Sequence, residues 1–259
     1  MLKLAASIVT HNSDLRKLEE TVRSLKDSDV EIHLSIIDNA SEPAYLDQIK
    51  RKFPSCVVES GANKGFSFGH NIGIRNAPDS EYYLVLNPDV FIHKGSLENI
   101  IAFMDKHVET GLTSPKILNP DGSIQHLNKR LPTVRDMFLR RFLPPCLQQL
   151  APIKKRMEHY IMLDHGYDKS YKVQYMTGCF MLFRRMILDK IGPFDEGFFM
   201  YLEDADITLR TNRISKAIYY PDATITHHWS RGSHRNWRLS WITIKSAFYF
   251  FNKWGWRWG

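Results

Sequence analysis

The sequence predicts an α/β fold, a mostly parallel central sheet with helices on both faces, followed by an aromatic and basic helical tail. Two observations carry this prediction. Short β-rich apolar runs alternate with stretches of helical period through residues 4–107, the pattern of a parallel sheet wound by crossover helices. The runs are apolar almost throughout, as strands buried on both faces must be. A third observation points to function. Polar clusters close three of the runs, and in open parallel sheets ligands sit beyond the carboxyl ends of the strands.

Residues 4–10 form the first expected strand, closed by Thr10-His11-Asn12. Residues 14–25 follow as a helix with Leu15, Leu18, Val22 and Leu25 on one face. A strand over 32–37 ends at Asp38-Asn39; a helix is expected over 43–52 and a short strand over 56–59. After a glycine-rich turn, residues 67–76 read as a helix. A strand over 82–86 ends at Asn87-Pro88-Asp89, and 95–107 carries Leu97, Ile100, Ile101 and Met104 at helical spacing. Asn119-Pro120-Asp121-Gly122 is a turn signal. Residues 132–171 show no clean period and read as an irregular or helical insertion on the sheet edge. A strand is expected over 175–183, a helix over 203–214, and two short strands over 217–227, broken at Pro221-Asp222. In the tail, Trp237, Trp241, Ile244, Phe248 and Phe251 recur at three- and four-residue spacing, with Arg238, Lys245, Lys253 and Arg257 between or beyond them.

Composition bounds the function classes. With 259 residues, 43% of them hydrophobic, the chain buries a real core and is not a disordered segment. A net charge of +7 favours polyanionic partners such as nucleotides, pyrophosphate groups or an anionic membrane surface; a merely basic, soluble surface is the plainer reading. Cys56, Cys146 and Cys179 are widely spaced and form no CxxC pair, which argues against a zinc site or disulfide framework and suits a reducing compartment. The first apolar run is too short for a signal peptide, and no run of about 18 apolar residues is present to span a membrane.

Four motifs carry chemistry. Asp89, on a strand-end loop, is a hard oxygen ligand suited to a divalent ion on a diphosphate; an Asp in a turn after proline is the structural alternative. In Glu203-Asp204-Ala205-Asp206, clustered acids raise one another's pKa and favour a proton acceptor near neutral pH, while Asp206 can pair with Arg210 one turn on. Acids at a helix start are also favoured by the helix dipole. Asn63-Lys64-Gly65-Phe66, leading to Gly69, Asn71 and Gly73, allows close backbone approach and offers Lys64 to a phosphate; its spacing is neither a Walker loop nor the dinucleotide fingerprint. His227 and His228 end a strand and point to opposite faces, so one of them reaches a given metal.

Together the segments SIVTHN, IIDNAS, NKGFSFGHNIG, LVLNPDV, TGCFMLFRR, GPFDEGFFMYLEDADITLR and ATITHHWSRGS resemble the bacterial family 2 glycosyltransferases of the GT-A fold, a Rossmann-like architecture. They run in family order over most of the chain. Within the family the chain looks most like rhamnosyltransferases of O-antigen and related cell-surface polysaccharides. The resemblance implies a GT-A domain over 1–233, with a nucleotide-sugar-binding half (1–110) and an acceptor and catalytic half (111–233) that holds the insertion at about 132–172; residues 234–259 form an amphipathic tail. It places Thr10, Asn12, Asp38, Asn39, Lys64, Gly65, Asn71, Asn87 and Asp89 on the nucleotide sugar. Asn87-Pro88-Asp89 stands where the family has its DxD metal motif, with Asn as its first residue. Asp89 and His227 therefore hold Mg²⁺ or Mn²⁺, with His228 as the fallback ligand. Asp204, with Glu203 beside it, matches the catalytic base.

The implied reaction is a single inverting displacement. It moves a sugar, L-rhamnose from dTDP-L-rhamnose, to a polyprenyl-diphosphate-linked saccharide acceptor. The expected location is the cytoplasm, peripheral on the inner face of the bacterial plasma membrane, and nucleic acid is not an expected partner. The aromatic and basic tail suits an anionic membrane surface, and 137–150 offers a second contact; packing of the tail on the domain is the alternative. Other readings are another nucleotide-sugar hexosyltransferase, a nucleotidyltransferase, or a non-catalytic binding module. The last two leave the late acidic and histidine motifs unexplained.

Overall fold

Alternation of strand and helix produces one nine-stranded sheet in the computed structural model, which describes residues 1–228 and 237–259. The end of the ATITHHWSRGS segment and the boundary expected between 233 and 234 lie outside the described residues. The strands β3 (Val57–Glu59), β2 (Ile32–Asp38), β1 (Leu2–Thr10) and β4 (Ser80–Leu86) pair in parallel in that order. β8 (Phe180–Arg184) then runs antiparallel between β4 and β6 (Thr110–Leu118), and β9 (Lys216–His227) lies parallel to β6. β5 (Val90–Ile92) and β7 (Tyr171–Lys172) both run antiparallel to β9.

Period two along the strands decides which side chains meet which layer. Leu4, Ala6 and Ile8 of β1 face one core with Leu18, Val22 and Leu25 of α1 (Leu15–Lys26), Ile49 of α2 (Pro43–Lys52), and Leu97, Ile100 and Met104 of α4 (Ser96–Lys106). Ala5, Tyr83 and Val85 face the other core, closed by Ile74 of α3 (Phe66–Asn76), Leu188 of α8 (Arg185–Ile191) and Ile207 of α9 (Glu203–Ile214). Helices therefore cover both faces. Residues 132–171 hold α5 (Val134–Phe142), α6 (Pro145–Gln148), α7 (Ala151–Tyr160) and a 3₁₀ turn.

Several expected elements shift. The strand expected over 175–183 begins only at Phe180, because Tyr175–Cys179 bends along the site. Residues 217–227 make one strand, not two: a register shift opposite Pro115 and Lys116 absorbs Pro221-Asp222 as a bulge. β5, β6 and α8 had no separate signal, since their apolar runs are short or carry Gly and Pro.

The tail forms α10 (Trp237–Trp254), and it packs on the domain. Phe250 and Phe251 join Phe198, Leu202 and Ala205 in a third core. The Trp254 indole donates to Asp206 Oδ1 at 2.8 Å, and Lys253 Nζ lies 2.7 Å from the same oxygen. Arg210 pairs with the other Asp206 oxygen at 2.9 Å, so this fully buried carboxylate is neutralised on both sides. The periodic stripe splits accordingly: Phe251 is buried, whereas Trp237, Trp241, Ile244 and Phe248 face outward. Among the described residues no helix is long and apolar enough to cross a membrane.

Candidate active site

Parallel strands deliver their carboxyl ends to one edge, and the polar groups of the sequence collect there. β1 and β2 stay in register to their last residues, setting Thr10 opposite Asp38. The Thr10 hydroxyl meets the Tyr45 hydroxyl at 2.6 Å. Asp38 is buried; its Oδ2 accepts the Ser41 N–H at 3.1 Å, while Oδ1 has no hydrogen-bond partner among the described residues. An unpaired buried oxygen is costly, so it marks a place for a ligand's donor. Asn12 sits in the left-handed region at φ 50°, and its Oδ1 accepts the Glu42 N–H.

Three of the residues expected on the nucleotide sugar do other work. Asn39 donates to Asn63 Oδ1 and the Gly65 carbonyl and accepts from Ser60, so its amide ties 60–65 to β2. Asn71 donates to the Phe194 carbonyl and Glu196 and accepts the Phe194 N–H, which leaves it buried and saturated. At Gly65 (φ 97°) an added Cβ would lie 1.9 Å from the Phe199 carbonyl; the glycine admits protein backbone there. Lys64 is exposed, with its ammonium 5.0 Å from the Phe68 ring centre.

Asp89 and His227 come together because β5 folds back on β9, pairing Val90 with His227. His227 Nε2 lies 3.4 Å from Asp89 Oδ1. The Gln125 amide reads the other side of the ring: its Nε2 donates to the His227 carbonyl at 2.8 Å, so its oxygen faces Nδ1 at 3.0 Å and requires a proton there. Nε2 is thereby left as a buried lone pair without a hydrogen-bond partner, beside a carboxylate. That combination fits a shared cation. Burial opposes ionisation of Asp89, but the contact with His227 and the nearby charge of Lys17 outweigh it and hold its carboxyl below the ordinary range. His228 joins the site through its backbone: its N–H donates to the Asp89 carbonyl and its carbonyl accepts from Lys17. No cluster of three or more His, Cys, Asp or Glu side chains forms a metal site among the described residues.

The acidic pair stands on the same cleft, of about 400 Å³, which is lined by Asn87, His227, Glu203 and Asp204. A turn with two non-glycine residues in the left-handed region, Tyr201 at φ 74° and Leu202 at φ 69°, aims the start of α9. The turn is held by Phe66 N–H on the Phe199 carbonyl and by the Ser246 hydroxyl of α10 on the Met200 carbonyl. Strain of this kind persists where the surroundings enforce it. Asp204 accepts the Gly178 N–H at 3.1 Å and its neighbour's N–H at 2.9 Å. Burial and the charge of Asp204 push the Glu203 carboxyl well up. Burial raises Asp204 as well, opposed by the charge of Lys129 and by its backbone hydrogen bonds. Both carboxyls are thus pushed toward the protonated form, Glu203 the more strongly. Lys129, pushed down to about 8 by burial and then by Arg140, stays cationic at neutral pH.

Lys129, Arg140, Gln125 and Tyr45 escaped sequence reasoning. Lys129 is one of 35 Lys and Arg residues, and nothing local marks it. Gln125 and Lys129 lie on the extended segment before α5, where only the folded sheet shows which side chains turn inward.

The family model described as glycosyl transferase family 2 matches residues 6–192. The N-acetylglucosaminyl-diphospho-decaprenol L-rhamnosyltransferase of Mycobacterium tuberculosis is 25% identical over 224 residues, covering 79% of this chain and 69% of that one. Rhamnosyltransferase WbbL of Escherichia coli is 23% identical over 237 residues, covering 88% and 84%. Among solved structures, GalNAc-T7 with UDP, GalNAc and Mn²⁺ superposes with a TM-score of 0.64 at 18% identity; the match covers 91% of this chain and 45% of that one.

Proposed function

The chain belongs to glycosyl transferase family 2 and is a glycosyltransferase; within that family we propose that it transfers L-rhamnose from dTDP-L-rhamnose to a polyprenyl-diphosphate-linked saccharide, with inversion. One observation carries the reading: a single cleft is lined by the buried acids Glu203 and Asp204 and by His227, whose unpartnered Nε2 faces Asp89. Two relatives with rhamnosyltransferase activity in their names, one on a diphospho-decaprenol acceptor, support the choice of donor and acceptor.

Asp204 accepts the proton of the acceptor hydroxyl as that oxygen attacks the anomeric carbon from the face opposite the diphosphate. One displacement inverts the centre, and no covalent enzyme intermediate forms. Burial and the Asp204 charge favour the protonated form of Glu203, and the Lys129 charge opposes the rise that burial imposes on Asp204. Thr10, Asn12 and Asp38 hold the base and ribose, with the Asp38 Oδ1 open to a donor. Asp89 and His227 are the residues that would hold Mg²⁺ or Mn²⁺, the donor's phosphates completing the shell. When bound, the ion supplies Lewis-acid neutralisation of the departing diphosphate.

A thermal-shift panel of nucleotide sugars tests the donor. The largest stabilisation is expected from dTDP-L-rhamnose with Mn²⁺ or Mg²⁺, and its turnover is expected to stop in excess chelator. A larger response to another nucleotide sugar overturns the rhamnosyl assignment; full turnover in chelator overturns the metal role.

A further inference from the structure

The catalytic cleft passes into a second hollow. Met137 of α5 and Thr243 of α10 line both the cleft and a groove of about 200 Å³ between those helices. Beyond the shared residues the groove is walled by Val134, Ile244, Ala247, Phe248 and Trp256, all apolar. Two cations stand in the cleft where Met137 opens it to the groove. Lys129 is buried, its ammonium 4.3 Å from the Tyr175 ring centre and 3.3 Å from the Thr177 hydroxyl. Arg140 leans on the Tyr160 ring at 5.2 Å. Neither makes an ion pair with a carboxylate among the described residues, whereas the buried Asp136 and Asp206 both do. An apolar groove alone serves many ligands. Two unpaired cations at its mouth, next to the base, select an amphiphile with an anionic head.

Resting on the proposed function, we infer that Lys129 and Arg140 receive the diphosphate of the lipid-linked acceptor and that the α5–α10 groove receives the first isoprene units of its chain. The occupant runs through the cleft: saccharide hydroxyl at Asp204, diphosphate on the two cations, chain leaving along the groove. Arg140 suits the task because its planar fork meets phosphate oxygens in pairs. Away from the cleft, the groove wall includes Phe248 and Trp256, both exposed. The tail thereby becomes part of the acceptor site as well as a brace for the base.

Calorimetric titration of the full chain tests this, without divalent ion, using three probes: farnesyl diphosphate, farnesol and inorganic pyrophosphate. Farnesyl diphosphate is expected to bind about tenfold or more tightly than either fragment, because head and chain are engaged together. Ile244→Glu, at a site 40% exposed and so tolerant of the change, brings it to the pyrophosphate level. Arg140→Ala brings it to the farnesol level. Farnesyl diphosphate binding no tighter than pyrophosphate, or unchanged binding in either variant, overturns the assignment. Turnover of dTDP-L-rhamnose by the unsubstituted enzyme is read separately. It judges the proposed function, so a chain that uses the donor yet ignores the farnesyl group defeats this inference alone.

Discussion

Glu203 and Asp204 occupy one buried corner, yet their environments divide the labour. Asp204 has two backbone N–H donors and Lys129 to support its charge, while Glu203 Oε2 is buried without a partner. The sign of the linkage follows. A carboxyl whose folded pKa is raised favours the fold below its unfolded value, 4.5 for Glu203, and costs stability as pH climbs above it. Each pH unit between folded and unfolded titration is worth about 1.4 kcal/mol, and each kcal/mol is about 2–4 °C of Tm for a chain of this size. Glu203→Gln, neutral at every pH, should therefore melt higher than the unsubstituted chain at about pH 8, with the difference vanishing near about pH 4. Melting curves at the two pH values check it. At this scale the sequence spoke through residue type and place: Asp89, Asp204 and His227 stood out as polar groups ending strands or opening a helix. Asn39 and Asn71 stood in the same kinds of place, and only the folded loops show their amides consumed by backbone.

α10 shows what periodicity can and cannot say about an element. Spacing of Trp and Phe sufficed for a helix. Which face turns inward depends on Asp206, nearly fifty positions earlier, whose burial requires partners that α10 supplies through Lys253 and Trp254. The Arg213 guanidinium also covers the Trp254 ring at 4.3 Å. Trp254→Ala removes this packing and one hydrogen bond to a buried carboxylate, and should cost about 2–4 kcal/mol. Transfer should fall with it, because α10 also braces the strained turn at Tyr201 and Leu202 through Ser246. Trp258→Ala, at an exposed site, should stay within about 0.5 kcal/mol. Urea denaturation of both variants, read beside turnover, checks the contrast. β9 carries the converse lesson: Pro221 looked like a break, but a bulge facing Pro115 and Lys116 keeps the strand whole, and its end sets His227 beside Asp89.

For the whole molecule, parallel strands gather Thr10, Asp38 and Asn87 at one edge, and the later half of the chain supplies the Glu203–Asp204 pair, the buried Lys129 and the groove. The parallel half was legible because βαβ units leave strong apolar periods. Residues 119–178 were not, because they take their places from contacts with β9, α9 and α10. The outward aromatic face of α10, with Arg238 and Lys245 among its residues, is suited to an anionic membrane surface. Co-sedimentation with anionic vesicles should weaken as salt rises, and by about tenfold in a Trp237→Ser, Trp241→Ser double variant. The central claim is inverting transfer with Asp204 as base. Its most direct measurement is the anomeric configuration and rate of rhamnosyl transfer from dTDP-L-rhamnose to a synthetic polyprenyl-diphosphate saccharide, by the unsubstituted chain and by Asp204→Asn. The account predicts a β-configured donor giving an α-linked product, and a loss of about 10²–10⁴-fold in rate with donor binding kept in the variant. A product of retained configuration, or a variant as fast as its parent, would contradict it.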